Sequence, residues 1–191
     1  QMALRWWDRW LKGAPNGAEG DPAYRAYILH SAPPDASAAF RPGHWVEEAA
    51  LPSPRVTPQV LHLAAEAGVS HPRRANAGIR PSPVGYLRTD ESAGFSLPVC
   101  TPQHLGLQAG EFFPMGLNAE MPGDQAADDA LCLCFDGDPL AADLQLLGAA
   151  ELRLRLSSDQ PLAFVVARLC DVAPDGSSVR IAHGFLNLCH R

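Results

Sequence analysis

Apolar and polar residues follow two different periods along this chain. Residues 3–13 (ALRWWDRWLKG) place Leu4, Trp7 and Leu11 at i, i+3 and i+7, and Trp6 and Trp10 widen that stripe, the pattern of a short amphipathic helix. Lys12 in the last turn and Gly13 just after it supply a favourable dipole partner and a C-cap. Three Trp on three turns present more apolar surface than a free terminus exposes. The helix is therefore expected to dock, either on its own domain or on a neighbour beyond it.

Elsewhere the period is nearer two. Runs 24–29 (YRAYIL) and 60–64 (VLHLA) predict short strands, the second followed by a Glu66-Ala67-Gly68 turn. Residues 130–135 (ALCLCF) predict another before the turn Asp136-Gly137-Asp138-Pro139. Residues 151–157 (ELRLRLS) alternate Leu152, Leu154 and Leu156 against Arg153 and Arg155, as in a strand buried on one face. The run 162–172 (LAFVVARLCDV) suits a central strand and precedes the turn Ala173-Pro174-Asp175-Gly176. Two more strands, 178–182 and 185–189, are expected on either side of Gly184. Short strands, polar turns and no helical crossovers predict a mainly β fold, an antiparallel sandwich or jelly roll.

Composition refines this pattern. With 47% hydrophobic residues in 191, one domain with a real core is expected. Fifteen of the 18 prolines precede Gly123, so residues 68–128 read mainly as extended connection, a length usually functional or interfacial. No apolar run is long enough for a membrane span, and no signal-peptide core opens the chain. The basic residues are 14 Arg and one Lys, scattered apart from Arg73-Arg74, which excludes a nucleic-acid footprint.

Between Arg88 and Arg153 stand eleven acids and no Lys or Arg. A solvated acidic face is the expected reading. The alternatives are an ammonium site, or Ca2+ ligation by Asp124, Asp128 and Asp129. Cys100, Cys132, Cys134, Cys170 and Cys189 are too dispersed for a disulfide framework and fit a reduced, cytoplasmic setting. Cys132 and Cys134 would share one strand face. With Cys189 and His190 they evoke a thiolate zinc site, but the spacing favours buried small hydrophobes. Seven histidines (30, 44, 62, 71, 104, 183, 190) never fall in ligand spacing. No metal or cofactor is expected.

Catalytic motifs are missing as well. The nearest string to a G-x-S-x-G elbow, Gly68-Val69-Ser70-His71-Pro72, lacks the second glycine. There is no P-loop, dinucleotide fingerprint, H-E-x-x-H or EF-hand loop.

The ordered set RWWDRWLKG (5–13), GDQAADD (123–129), PLAADLQLLGAAELRLRLSSDQP (139–161), ARLCDVAPDG (167–176) and HGFLNLCHR (183–191) resembles the carboxy-terminal part of the X-prolyl dipeptidyl peptidase and cocaine esterase family of serine hydrolases. The similarity runs along nearly the whole chain and is dense from Gly123 onward. It implies a galactose-binding-like jelly roll following an α/β-hydrolase domain, whose acyl-enzyme chemistry uses a Ser-His-Asp triad lying upstream of Gln1. No residue here inherits a catalytic role.

The resemblance divides the chain into residues 1–13, the interdomain helix from the end of the catalytic domain, anchored by Trp6, Trp7 and Trp10, and residues 14–191, a jelly roll expected to be incomplete at its carboxy terminus. Its motif positions are Asp124 and Gln125, then Asp171, Asp175 and Gly176. A loop before the D-Q pair would line the substrate cleft with Phe112 and Phe113, although the spacing departs from the family pattern and the two rings would serve equally as a plug of the domain's own core. The implied partners are the upstream α/β-hydrolase domain and, through dimer contacts, a second copy. A free-standing carbohydrate-binding sandwich is the alternative, with Trp45 as the only Trp outside the first helix.

Overall fold

A computed structural model describes residues 2–65, 85–90, 94–111 and 120–190. The order of elements is helix α1 (Met2–Lys12), a 3-10 turn (Ala18–Gly20), strands β1 (Tyr24–Leu29), β2 (Gly43–Glu48), β3 (His62–Ala65) and β4 (Gly85–Arg88), helix α2 (Ala126–Asp129), strands β5 (Phe135–Asp136), β6 (Phe164–Val172) and β7 (Ser178–Asn187), and a closing 3-10 turn (Leu188–His190). Strands dominate and pair mainly antiparallel, with few helical residues among those described. None of the described helices is long and apolar enough to cross a membrane. The chain forms two compact units, Gln1–His30 with Gly43–Pro58, and Ser31–Pro42 with Gln59–Arg191.

The first unit holds α1 and the β1–β2 ribbon. The helix is latched to the segment after it by side chains on its polar face. Arg5 donates to both Asp21 carboxylate oxygens at 2.6 Å, Asn16 donates to the Arg5 carbonyl at 2.7 Å, and Arg9 pairs with Glu19 at 3.0 Å. Its apolar face stays open, and α1 buries no residue.

Strands β1 and β2 pair in register from Tyr24↔Glu48 to Leu29↔Gly43. Tyr27 and Trp45 face each other edge-on at 5.3 Å, the kind of aromatic cross-strand pair that stabilises such ribbons. Gly43 is required there, because a Cβ would fall 2.3 Å from the Ile28 carbonyl oxygen and 2.6 Å from the Tyr27 ring. Beyond β2, buried Glu48 accepts from Ser53 Oγ at 2.5 Å and from Arg55 Nη2 at 2.5 Å, closing the turn that follows.

The second unit holds a three-stranded sheet, β3–β4–β5, and the ribbon β6–β7. β3 and β4 are antiparallel, while the two residues of β5 run parallel to β4. β6 and β7 pair along their whole lengths, with an irregularity between Leu169 and Cys170. The turn between them closes as expected: the Gly176 amide donates to the Ala173 carbonyl at 2.9 Å, with Gly176 at φ 87°.

Several expectations from the pattern are corrected. The run 151–157 has no ladder partner and is not a strand. Leu152, Leu154 and Leu156 stay 50%, 39% and 45% exposed. Alternation sets which face is apolar but cannot supply the neighbour whose amides complete a ladder, and β6 and β7 already pair with each other. Residues 130–134 form a turn, and only Phe135–Asp136 is strand. Cys132 and Cys134 thus do not share a strand face. Gly184 does not divide β7, because it lies opposite Ala167 within one continuous ladder.

Candidate functional site

The densest polar arrangement lies where α2 meets β6 and β7. Asp124 Oδ1 accepts from the Ala126 amide at 2.9 Å, which turns the chain into α2, and from the Ser178 amide at 3.0 Å, which ties that turn to the start of β7. The Gln125 amide donates back to the Ser178 carbonyl at 2.9 Å. Gln125 and Ser178 are fully buried. The D-Q pair and the D-G turn thus come together through Ser178, two residues after Gly176 of the turn. Asp175 itself accepts from the Ser177 amide at 2.9 Å and from Ser177 Oγ at 2.8 Å; these bonds hold its carboxyl below the usual aspartate range. Asp171 is used elsewhere on β6, accepting from Ser31 Oγ at 2.5 Å.

Arg168, projecting from β6, organises the interior of this cluster. Nη1 donates to Gln125 Oε1 at 2.9 Å and lies 3.6 Å from Asp128 Oδ2, while Nη2 donates to Asp129 Oδ1 at 2.9 Å and to Cys132 Sγ at 3.4 Å. Asp128 and Asp129 are each only 4% exposed. This corrects the expectation of a solvated acidic face for these two residues. One guanidinium fork serves both carboxylates, the arrangement that makes a buried charge tolerable. Ca2+ ligation by the same acids would have to displace Arg168. Burial pushes the Cys132 thiol up, against the lowering charge of Arg168, so this cysteine is no poised nucleophile.

The cluster also grips a loop. Asp128 Oδ1 accepts from the Gly106 amide at 3.0 Å and Oδ2 from the Gln108 amide at 3.3 Å; Gln125 Nε2 donates to the Gln108 carbonyl at 2.7 Å. Two further bonds cross between the arms of that loop, from the Gly123 amide to the Gln108 carbonyl at 3.1 Å and from the Glu111 amide to the Glu120 carbonyl at 3.0 Å. Gly110 permits the close approach. Its φ is 74°, and a Cβ there would lie 2.7 Å from the Met121 carbonyl carbon. Residues 106–111 and 120–125 therefore form a fixed stem at the base of 112–119. Phe112 and Phe113 lie outside the described residues.

Trp6, Trp7 and Trp10 belong to α1 in the first unit. They pack on one another, Trp6 against Trp7 at 4.7 Å and against Trp10 at 6.2 Å, yet remain 48%, 50% and 54% exposed. The family resemblance marked Asp124 and Gln125, but Arg168 was missed; its single signal was an arginine inside a mostly apolar strand. Also missed was the contact between His30 and His44, whose ring nitrogens meet at 2.9 Å across β1 and β2.

Among the described residues no group of three or more His, Cys, Asp or Glu side chains is placed to hold a metal ion. Cys134 is buried, Cys132 and Cys170 are half-buried, and Cys100 and Cys189 are exposed, so the expectation of buried small hydrophobes in the Cys132, Cys134 and Cys189 set holds for Cys134 and is corrected for Cys189. The arrangement around Arg168 offers no nucleophile with an adjacent base. Its chemistry is that of a structural lock.

Comparison with known proteins agrees with that character. Neither the curated proteins nor the solved structures give a match. The family model for the X-Pro dipeptidyl-peptidase C-terminal non-catalytic domain matches residues 16–191. A chain that carries the D-Q pair and the D-G turn locked around Arg168, and that matches this model from just after α1 to its last residue, belongs to the X-Pro dipeptidyl-peptidase C-terminal non-catalytic domain family.

Proposed function

We propose that this chain is the non-catalytic domain of a serine hydrolase of the X-Pro dipeptidyl peptidase or acyl esterase type, and that it completes the substrate cleft of a catalytic domain in the same protein. Family membership implies that catalytic partner. The observation that carries the cleft role is the stem at 106–111 and 120–125. Ordering a loop base costs conformational entropy, and here buried Gln125 and Asp128 both spend their hydrogen bonds on it. A scaffold fixed in this way supports a loop that presents side chains to a neighbour. Phe112 and Phe113 would then form an apolar wall on the acyl side of the cleft.

In this reading residues 1–13 are the interdomain helix, anchored by Trp6, Trp7 and Trp10, and residues 14–191 are a galactose-binding-like jelly roll in a cytoplasmic protein that also makes contacts between copies. The triad belongs to the catalytic domain, so the isolated chain turns over neither esters nor X-Pro substrates. The deciding experiment uses the parent protein. Phe112→Ala with Phe113→Ala is expected to raise KM for X-Pro or acyl substrates while the protein stays folded. Unchanged KM and kcat would remove the cleft role and leave the two rings as packing residues.

One observation favours a second reading. Trp45 is 65% exposed beside Tyr27, and an exposed aromatic platform suits sugar stacking. Titration with a glycan panel that gives neither heat nor a change in Trp fluorescence removes it.

A further inference from the structure

The β1–β2 ribbon brings together two histidines fourteen residues apart. His30 directly follows β1, and His44 is the second residue of β2, opposite Ile28. Successive side chains of a strand point to opposite faces, so His30, two residues beyond Ile28, shares the face of His44. Their rings lie 5.2 Å apart at 46°, with His30 Nε2 and His44 Nδ1 separated by 2.9 Å. His30 is exposed and His44 half-buried, so solvent reaches the pair.

We propose that His30 and His44 form a two-imidazole chelate for a divalent transition-metal ion, with Cu2+ the tightest ligand. The separation decides the class of ion. A metal–imidazole bond is about 2.0–2.1 Å, so two of them span roughly 3.3 Å at a tetrahedral angle and about 2.9 Å at a right angle. The observed 2.9 Å matches adjacent positions of a tetragonal or octahedral ion. Nitrogen ligands in that geometry select Cu2+ or Ni2+, and Cu2+ stands at the top of the divalent affinity order.

The proton balance also closes. Neutral His30 carrying its proton on Nδ1 and neutral His44 carrying its proton on Nε2 present both lone pairs to the ion, with no net proton released. Without the ion, one of these rings is in the other tautomer and donates to its neighbour. Water fills the remaining coordination positions. Bound there, the ion would cross-link the point where the chain leaves β1 to the point where it enters β2, which stabilises the ribbon by mass action.

The test titrates the purified chain with CuCl2, followed by calorimetry and by electron paramagnetic resonance. One Cu2+ per chain, with the signature of two imidazole nitrogens, is expected. Loss of a hydrogen-bond partner to a ligand costs about 10- to 100-fold in metal affinity. Loss of the ligand itself in His30→Gln or His44→Gln should cost at least as much, whereas His104→Gln leaves affinity unchanged. Wild-type binding without saturation, a spectrum with fewer than two imidazole nitrogens, or undiminished affinity in either single variant would overturn the site and leave the pair as a cross-strand hydrogen bond. The spectrum of the wild-type chain decides the matter even if a variant misfolds.

Discussion

Replacing Arg168 by Met strands the Asp128 and Asp129 carboxylates in a site where each is 4% exposed. Removing one partner of a buried ion pair costs about 3–5 kcal/mol because the remaining charge is left uncompensated. Arg168→Met is expected to lose stability in that range by urea denaturation, and a loss below about 1 kcal/mol, the scale of an exposed pair, would show that the lock is not built on this charge. Ser178 makes the opposite case. Its side chain is fully buried, and its hydroxyl finds no hydrogen-bond partner among the described residues, while its amide and carbonyl do the holding. An unsatisfied buried hydroxyl is a cost of about 1–3 kcal/mol. Ser178→Ala should therefore be neutral or stabilising. Two residues of one cluster thus differ in sign, because one neutralises charge and the other serves only through its backbone.

At the scale of the element, the turn after β2 depends on an ionised Glu48. Hydrogen bonds from Arg55 first, and from Ser53 second, hold its carboxyl below the usual glutamate range. A group whose pKa is lowered by folding contributes stability that is complete above its unfolded value, about 4.3 for Glu, and that is lost as the pH falls through the lowered folded value. The chain should therefore lose stability on acidification below about pH 4.3. Glu48→Gln should flatten that part of the profile and lower stability at neutral pH, where the ionised carboxylate's bonds to Arg55 and Ser53 are fully present in the wild type. Stability against pH for both proteins checks this, and parallel curves would assign the acid sensitivity to other carboxylates, such as Asp35 and Asp175, whose values are also lowered by serine donors.

At the scale of the whole molecule, the described residues bury few large apolar side chains. Ala18, Ala126 and Cys134 are the buried hydrophobic residues among them, while Phe164, Val166 and Phe185 on β6–β7 are 67%, 61% and 68% exposed. A two-stranded ribbon is marginal by itself, and in the proposed reading the catalytic domain would cover part of this surface. α1 carries the sharpest version of the argument. Because its Trp face makes no buried contact, Trp7→Glu with Trp10→Glu should leave the stability of the isolated chain within about 0.5 kcal/mol. The same change should weaken association with the catalytic domain expressed separately. Wild-type co-purification of that pair would place the docking surface elsewhere.

The sequence by itself determined what local periodicity and turn chemistry can express. The α1 stripe, β1 at 24–29 and the Ala173–Gly176 turn were legible because each depends on neighbours a few residues away. Only the tertiary structure decided which extended segments gained ladder partners. The Leu152, Leu154 and Leu156 alternation found none, whereas Gly85–Arg88 became β4 because β3 and β5 lie on either side of it. The same holds for the sites. Arg168 stands 39 residues from Asp129, and His30 stands 14 from His44. Such contacts follow from register and packing, and the spacing of residue types along a chain carries no record of either.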